Sequence, residues 1–138
     1  MPESTVLKSA AVMVNGDTLF TATGDVVITH IYSECVTANG VTASTLQYSI
    51  TPTGLVATTI SGASSSLASA IIGTTVSLDG TALSTAPTVS VNGTAQGTIR
   101  GVLFLSGVLK IVVGVGSTTG TWKHYLRYFP VEAGAYVS

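Results

Sequence analysis

Two histidines, six carboxylates, one cysteine and many hydroxyls are all that this 138-residue sequence offers to acid-base, nucleophilic or metal chemistry. His30, Tyr32 and Glu34 stand two apart in Val27-Ile-Thr-His-Ile-Tyr-Ser-Glu-Cys-Val36, and on a strand such spacing puts them on one face. A metal or acid-base trio could be built that way, although a solvated or interface stripe is the far commoner use of such a face. His30 and His124 show no metal-ligand spacing. Glu3, Asp17, Asp25, Glu34, Asp79 and Glu132 are scattered. Asp17, Asp25 and Asp79 lie in Gly-flanked turns, where a carboxylate caps backbone amides. The serines include no Gly-x-Ser-x-Gly elbow, and the glycines at 107, 114, 116 and 120 precede no Lys-Ser/Thr, so neither a hydrolase nucleophile nor a phosphate loop is indicated. These residues predict a chain that is not an enzyme and needs no cofactor or metal.

A second constellation suits binding better than catalysis. In Gly120-Thr-Trp-Lys-His-Tyr-Leu-Arg-Tyr-Phe-Pro130, period two puts Trp122, His124, Leu126, Tyr128 and Pro130 on one face and Lys123, Tyr125, Arg127 and Phe129 on the other. Trp, Tyr and Arg are enriched at protein-protein hot spots, which marks Trp122, Lys123, Tyr125, Arg127, Tyr128 and Phe129 as candidate interface residues. Trp122 and Leu126 serve equally well as plain core with the basic side chains as a solvated rim.

The elements that must carry these residues read as strands throughout. Too few Glu, Lys, Arg and Gln are present to dress a helix. Strands are predicted at about 5–14, 18–23, 26–36, 45–51, 55–60, 73–78, 88–91, 97–105, 108–115 and 121–131, punctuated by Asn-Gly and Asp-Gly turns. Residues 64–72 read as one short helical turn. The apolar run 101–116 is cut by glycines into two adjoining buried strands, too short for a membrane span. This pattern predicts an all-β chain, a single-domain antiparallel β-sandwich with jelly-roll-like build over 1–138. Residues 1–10 are expected to act as an interaction arm.

Charged residues make up only 8% of the sequence against about 25% in ordinary domains, so much of the surface is expected to be hidden in an assembly. Ser and Thr hydroxyls solvating the surface are the alternative. The net charge of −1 and dispersed basic residues argue against nucleic acid, and no membrane segment is indicated. Cys35 is alone and, by its alternation, a buried thiol. The start Met1-Pro-Glu-Ser-Thr lacks a basic region and an apolar core, which predicts synthesis in the cytoplasm of the host cell.

The segment 117–137 contains Trp-x-x-x-Leu-Arg-Tyr-x-Pro-x-Glu-x-Gly-Ala-x-Val and resembles the closing strand of capsid cement, or decoration, proteins of tailed bacteriophages. That resemblance implies a jelly-roll or related β-fold that forms homo-oligomers on the outer surface of the virion head. There it would bind the major capsid protein and bridge neighbouring capsomers. It marks Trp122, Arg127, Tyr128, Pro130, Glu132 and Gly134 for closing the sandwich and docking. The alternative is a tail or fibre domain recognising a host glycan, with Trp122, Tyr125 and Tyr128 as stacking platforms.

Overall fold

Residues 3–78, 83–91, 101–114 and 119–138 are described in a computed structural model. Among the described residues eleven strands follow in order: β1 (Ser4–Val12), β2 (Thr18–Thr23), β3 (Val26–Thr37), β4 (Thr45–Pro52), β5 (Thr58–Thr59), β6 (Thr75–Ser77), β7 (Thr88–Ser90), β8 (Val102–Phe104), β9 (Gly107–Gly114), β10 (Thr121–Pro130) and β11 (Tyr136–Val137). Two antiparallel sheets enclose one hydrophobic core, and no helix occurs among the described residues.

The pairing is that of a ribbon folded over on itself. β1 pairs with β10, β2 with β9, β3 with β8 and β4 with β5, all antiparallel. Wrapping that ribbon leaves β1, β10, β3 and β8 in one sheet and β2, β9, β4 and β5 in the other, which is the jelly-roll arrangement. Two additions extend it. β6 and β7 join the first sheet along the C-terminal half of β3, and β11 joins the second beside β2.

The burial of each strand follows its alternation. On β9, Gly107, Leu109, Ile111 and Val113 are buried while Val108, Lys110 and Val112 are half-buried. On β4 the same holds for Leu46, Tyr48 and Ile50. Burying side chains of this size stabilises by about 1.5–3 kcal/mol each before entropy is subtracted. The phase changes once on β3, where Ile28 and Ile31 both point inward and Thr29 and His30 both point outward. There His30 pairs with Arg127 and Ile28 with Tyr128, so β3 carries one extra residue, a β-bulge.

The structure corrects several sequence expectations. Instead of a helical turn at 64–72, the chain makes irregular turns whose amides bond far away: Leu67 N–H donates to Ser44 O and Ser69 N–H to Gly40 O, both at 2.7 Å. Those donors are unavailable for a helix, and Ser69 sits at φ 56°, outside helical space. The strand expected over 55–60 shrinks to Thr58–Thr59 because a turn holds Pro52–Leu55, with Leu55 N–H donating to Pro52 O at 3.0 Å. β11 is too short to have left a periodic signal. The turns at Asp79-Gly80 and Asn92-Gly93, and residues 97–100 of the eighth expected strand, lie outside the described residues.

The N-terminal segment completes the chain's own sheet, since β1 from Ser4 onward pairs with β10. As an edge strand it would invite further pairing. A register break between Lys8 and Ala11 and a charged Lys8 opposite inward-facing His124 both oppose that, because a bulge and an inward charge are devices that blunt edges.

Candidate functional site

β10 lies between β1 and β3 and places its two sets of side chains on opposite sides of the first sheet. Trp122, His124, Leu126 and Tyr128 are buried in the core. Lys123 and Tyr125 are half-buried outside, and Arg127 and Phe129 are exposed there. Any contact surface built on this strand therefore draws on Lys123, Tyr125, Arg127 and Phe129, and not on Trp122 or Tyr128.

The strand register arranges the outer face in rows. Phe129 stands beside Val27, which stands beside Leu103 on β8, an apolar row with Leu103 53% exposed. Next comes a polar row. Arg127 pairs with Glu3 at 2.5 Å, Glu3 also accepts a hydrogen bond from Thr29 Oγ1, and its carboxylate lies 3.7 Å from His30 Nδ1. The Thr29 hydroxyl, then the Arg127 and His30 charges, hold Glu3 below the ordinary carboxylate range. The third row is Leu7, Tyr125 and Tyr32 across β1, β10 and β3. In the fourth, Lys123 meets Glu34 at 3.5 Å. Contact with Tyr125, then the charge of Glu34, raises the Lys123 ammonium pKa.

His30, Tyr32 and Glu34 do share this outer face, with the His30 and Tyr32 rings stacked at 5.9 Å. They are drawn into different pairings, His30 toward Glu3 and Glu34 toward Lys123, and so do not converge on a common point. Among the described residues no cluster of three or more His, Cys, Asp or Glu could hold a metal ion. Of the three aromatics expected to stack on sugars, only Tyr125 reaches the surface, and the Lys123 ammonium lies over its ring at 5.4 Å.

Sequence reading missed a polar group inside the sandwich. Ser33 Oγ is 2.6 Å from His124 Nδ1 and 2.7 Å from the Tyr48 hydroxyl, joining β3, β10 and the facing β4. Burial, then the charge of Lys8, lowers the His124 pKa to about 4, and burial raises that of Tyr48. A cavity of about 20 Å³, room for about one water, borders His124 and is lined also by Lys8, Asp17 and Trp122. Ser33 and His124 have the spacing of a nucleophile and its base. Ser33 nevertheless has no exposed surface on which to meet a substrate, so the trio braces the two sheets. Only the inward phase of His124 was visible beforehand; its partner Ser33 lies 91 residues away, and Tyr48 joins the group through Ser33 from the facing sheet.

Three further contacts close the sandwich around the C-terminal segment. Asn39 Oδ1 accepts hydrogen bonds from Trp122 Nε1 and Gly120 N–H at 3.1 and 3.0 Å, while its Nδ2 donates to Leu67 O. Val137 N–H donates to the Tyr128 hydroxyl, linking β11 of one sheet to β10 of the other. Glu132 Oε1 accepts from Asp25 N–H at 2.9 Å, and Asp25 Oδ1 accepts from Ser106 N–H, a turn-capping use of that carboxylate. Pro130 pairs with Val26, and Gly134 takes φ 83° in the last turn. Cys35 is fully buried, with its thiol donating to Thr37 O and its pKa raised by burial. No family model, curated protein or solved structure matches this chain.

Proposed function

We propose that this chain is a non-enzymatic structural protein of a bacteriophage virion. In this reading it sits on the outer surface of the head, binds the major capsid protein and bridges neighbouring capsomers as a homo-oligomer. The observation that carries the proposal is the outer face of β1, β10 and β3. Its charges are paired within the chain as Glu3 with Arg127 and Glu34 with Lys123, and its apolar rows end in exposed Leu7, Phe129 and Leu103. A face that is broad, neutral and partly apolar suits a protein partner without the desolvation cost of unpaired charge. The low overall charge and the resemblance of 117–137 to the closing strand of cement proteins support the same reading.

Head shells lacking the chain provide the test. Purified protein should pellet with them and saturate at a stoichiometry comparable to the shell protein. Phe129→Ala together with Leu103→Ala should weaken that binding without unfolding the protein, since both side chains are exposed. Failure of the wild-type chain to bind any such shell would overturn the reading.

A further inference from the structure

β1 is a long strand with almost nothing buried: eight of its nine residues are exposed, and Val6 alone is half-buried. It pairs on one side only, with β10, and that ladder runs from Ser4 to Lys8 before its register breaks, resuming at Ala11. Met13, just beyond, is buried. The Ala11 end is thus rooted in the core, whereas the Ser4–Lys8 half is held by its ladder to β10 and by the contacts of Glu3 with Arg127 and Thr29. With so little apolar burial, such a half-strand belongs to the low-stability end of a structure.

A charge problem lies beneath that half. Lys8 stands directly opposite His124, and opposed residues of an antiparallel pair project to the same face. The cavity beside His124 is lined by Lys8, Ser9 and Ala11, all exposed, so it lies where the ladder breaks and gives solvent protons a path to the ring. Around the ring, Lys8 comes from β1, Asp17 from the turn before β2, and the Tyr48 hydroxyl from β4 through Ser33. β3 adds Ser33 and, two positions on, the Cys35 thiol, while β2 and β9 add Leu19 and Ile111. Burial keeps Tyr48 and Cys35 neutral, so Lys8 and Asp17 are the charges that face His124. Among the described residues Asp17 makes no ion pair with the ring.

Burial, then the Lys8 charge, lowers the His124 pKa from 6.5 to about 4, so the ring is neutral at pH 7 and tolerates Lys8 opposite it. A proton on His124 sets two cations directly opposite each other on one face, which destabilises the pairing of the strands. Swinging Lys8 away and admitting water relieves both the repulsion and the desolvation. The detached form therefore binds the proton more tightly than the attached one, and detachment is favoured as pH falls from 6.5 toward about 4.

We propose that Ser4–Lys8 is an acid-released strap: proton uptake at His124 detaches it from β10, with the register break after Lys8 as its hinge, while the two-sheet body stays folded. Because β1 brings Leu7 to the outer face and carries Glu3 at its head, release also dismantles that face and leaves Arg127 without its carboxylate. The strap is a property of the fold and operates whatever the outer face binds.

Residue-resolved amide exchange of the full-length protein tests it, with rates corrected for the intrinsic effect of pH. Between pH 7 and pH 5 the amides of Ser4–Lys8 that bond to β10 should lose at least about fivefold in protection, within the roughly twentyfold that linkage allows. Those of β4 and β9 should hold theirs. Glu3, held below the ordinary carboxylate range, stays ionised at pH 5, so its own titration does not account for the change. His124→Gln should abolish the loss. Lys8→Gln, which replaces an exposed side chain and so keeps the fold, should reduce it. Unchanged protection of Ser4–Lys8 at pH 5, a loss shared equally by β4 and β9, or a loss as large in Lys8→Gln as in the wild type would each overturn the proposal.

Discussion

Ser33 and His124 face each other across neighbouring strands, Oγ to Nδ1 at 2.6 Å, and the Tyr48 hydroxyl reaches Ser33 from the opposite sheet. The two sheets are therefore pinned to each other by a polar contact buried between them. A group of this kind is favourable only while fully satisfied, and an added charge there is costly.

Acid stability should report that contact. The His124 pKa falls from an ordinary 6.5 to about 4 on folding, chiefly through burial, so between these values the unfolded chain binds more protons than the folded one. The associated stability is complete above about pH 6.5 and is lost as pH falls toward 4, by about 3 kcal/mol at most. Denaturant titrations at pH 7 and 4.5 should show the decline. His124→Gln, although less stable at pH 7, should flatten it, and an unchanged slope would show that His124 is not the group responsible.

Asn39→Ala should cost about 3 kcal/mol, because it strands the Trp122 indole N–H, the Gly120 amide and the Leu67 carbonyl together. Trp122 is the only tryptophan, so its emission gives the unfolding curve directly. A loss below about 1 kcal/mol would mean that water replaces the amide easily.

Gly120→Ala should destabilise by about 1–3 kcal/mol, because an added Cβ would lie 2.1 Å from Thr37 O and 2.6 Å from Asn39 Oδ1. Gly16→Ala makes a useful contrast. Its Cβ would meet nothing within 4 Å, so any cost there comes from the backbone φ of 87° alone. Thermal unfolding of the two variants separates steric from conformational cost.

Arg127→Ala should change stability by less than about 1 kcal/mol, because its ion pair with Glu3 is solvent-screened. Its effect on shell binding should be larger, since it leaves Glu3 without its cationic partner within a face meant to be buried. Co-sedimentation and a denaturant titration on the same variant measure the two effects. Equal small effects on both would move the docking face away from β10.

Much of the architecture could be read from alternation. Leu46, Tyr48 and Ile50 on β4, and Trp122, His124, Leu126 and Tyr128 on β10, are buried in the phase their spacing predicts. The bulge on β3 was legible only in part, as the change from Val26 and Ile28 to Ile31 and Cys35 along the strand. What alternation cannot supply is which strand lies opposite which. The partners of His124 therefore stayed hidden, as did the cradle of Trp122 in Asn39. Residues 64–72 misled because Ala and Leu favour a helix locally, whereas the long-range bonds of Leu67 and Ser69 decided the outcome. Trp122 and Tyr128 were grouped with the interface by residue type, although their own phase put them in the core.

Quantitative mass spectrometry of virus particles purified from the source of this chain tests the central claim most directly, by the copy number of the chain relative to the major shell protein. A structural protein covering the head should be present in numbers comparable to the shell protein. A few copies per particle would contradict that and place the chain at the tail, and complete absence would remove it from the virion.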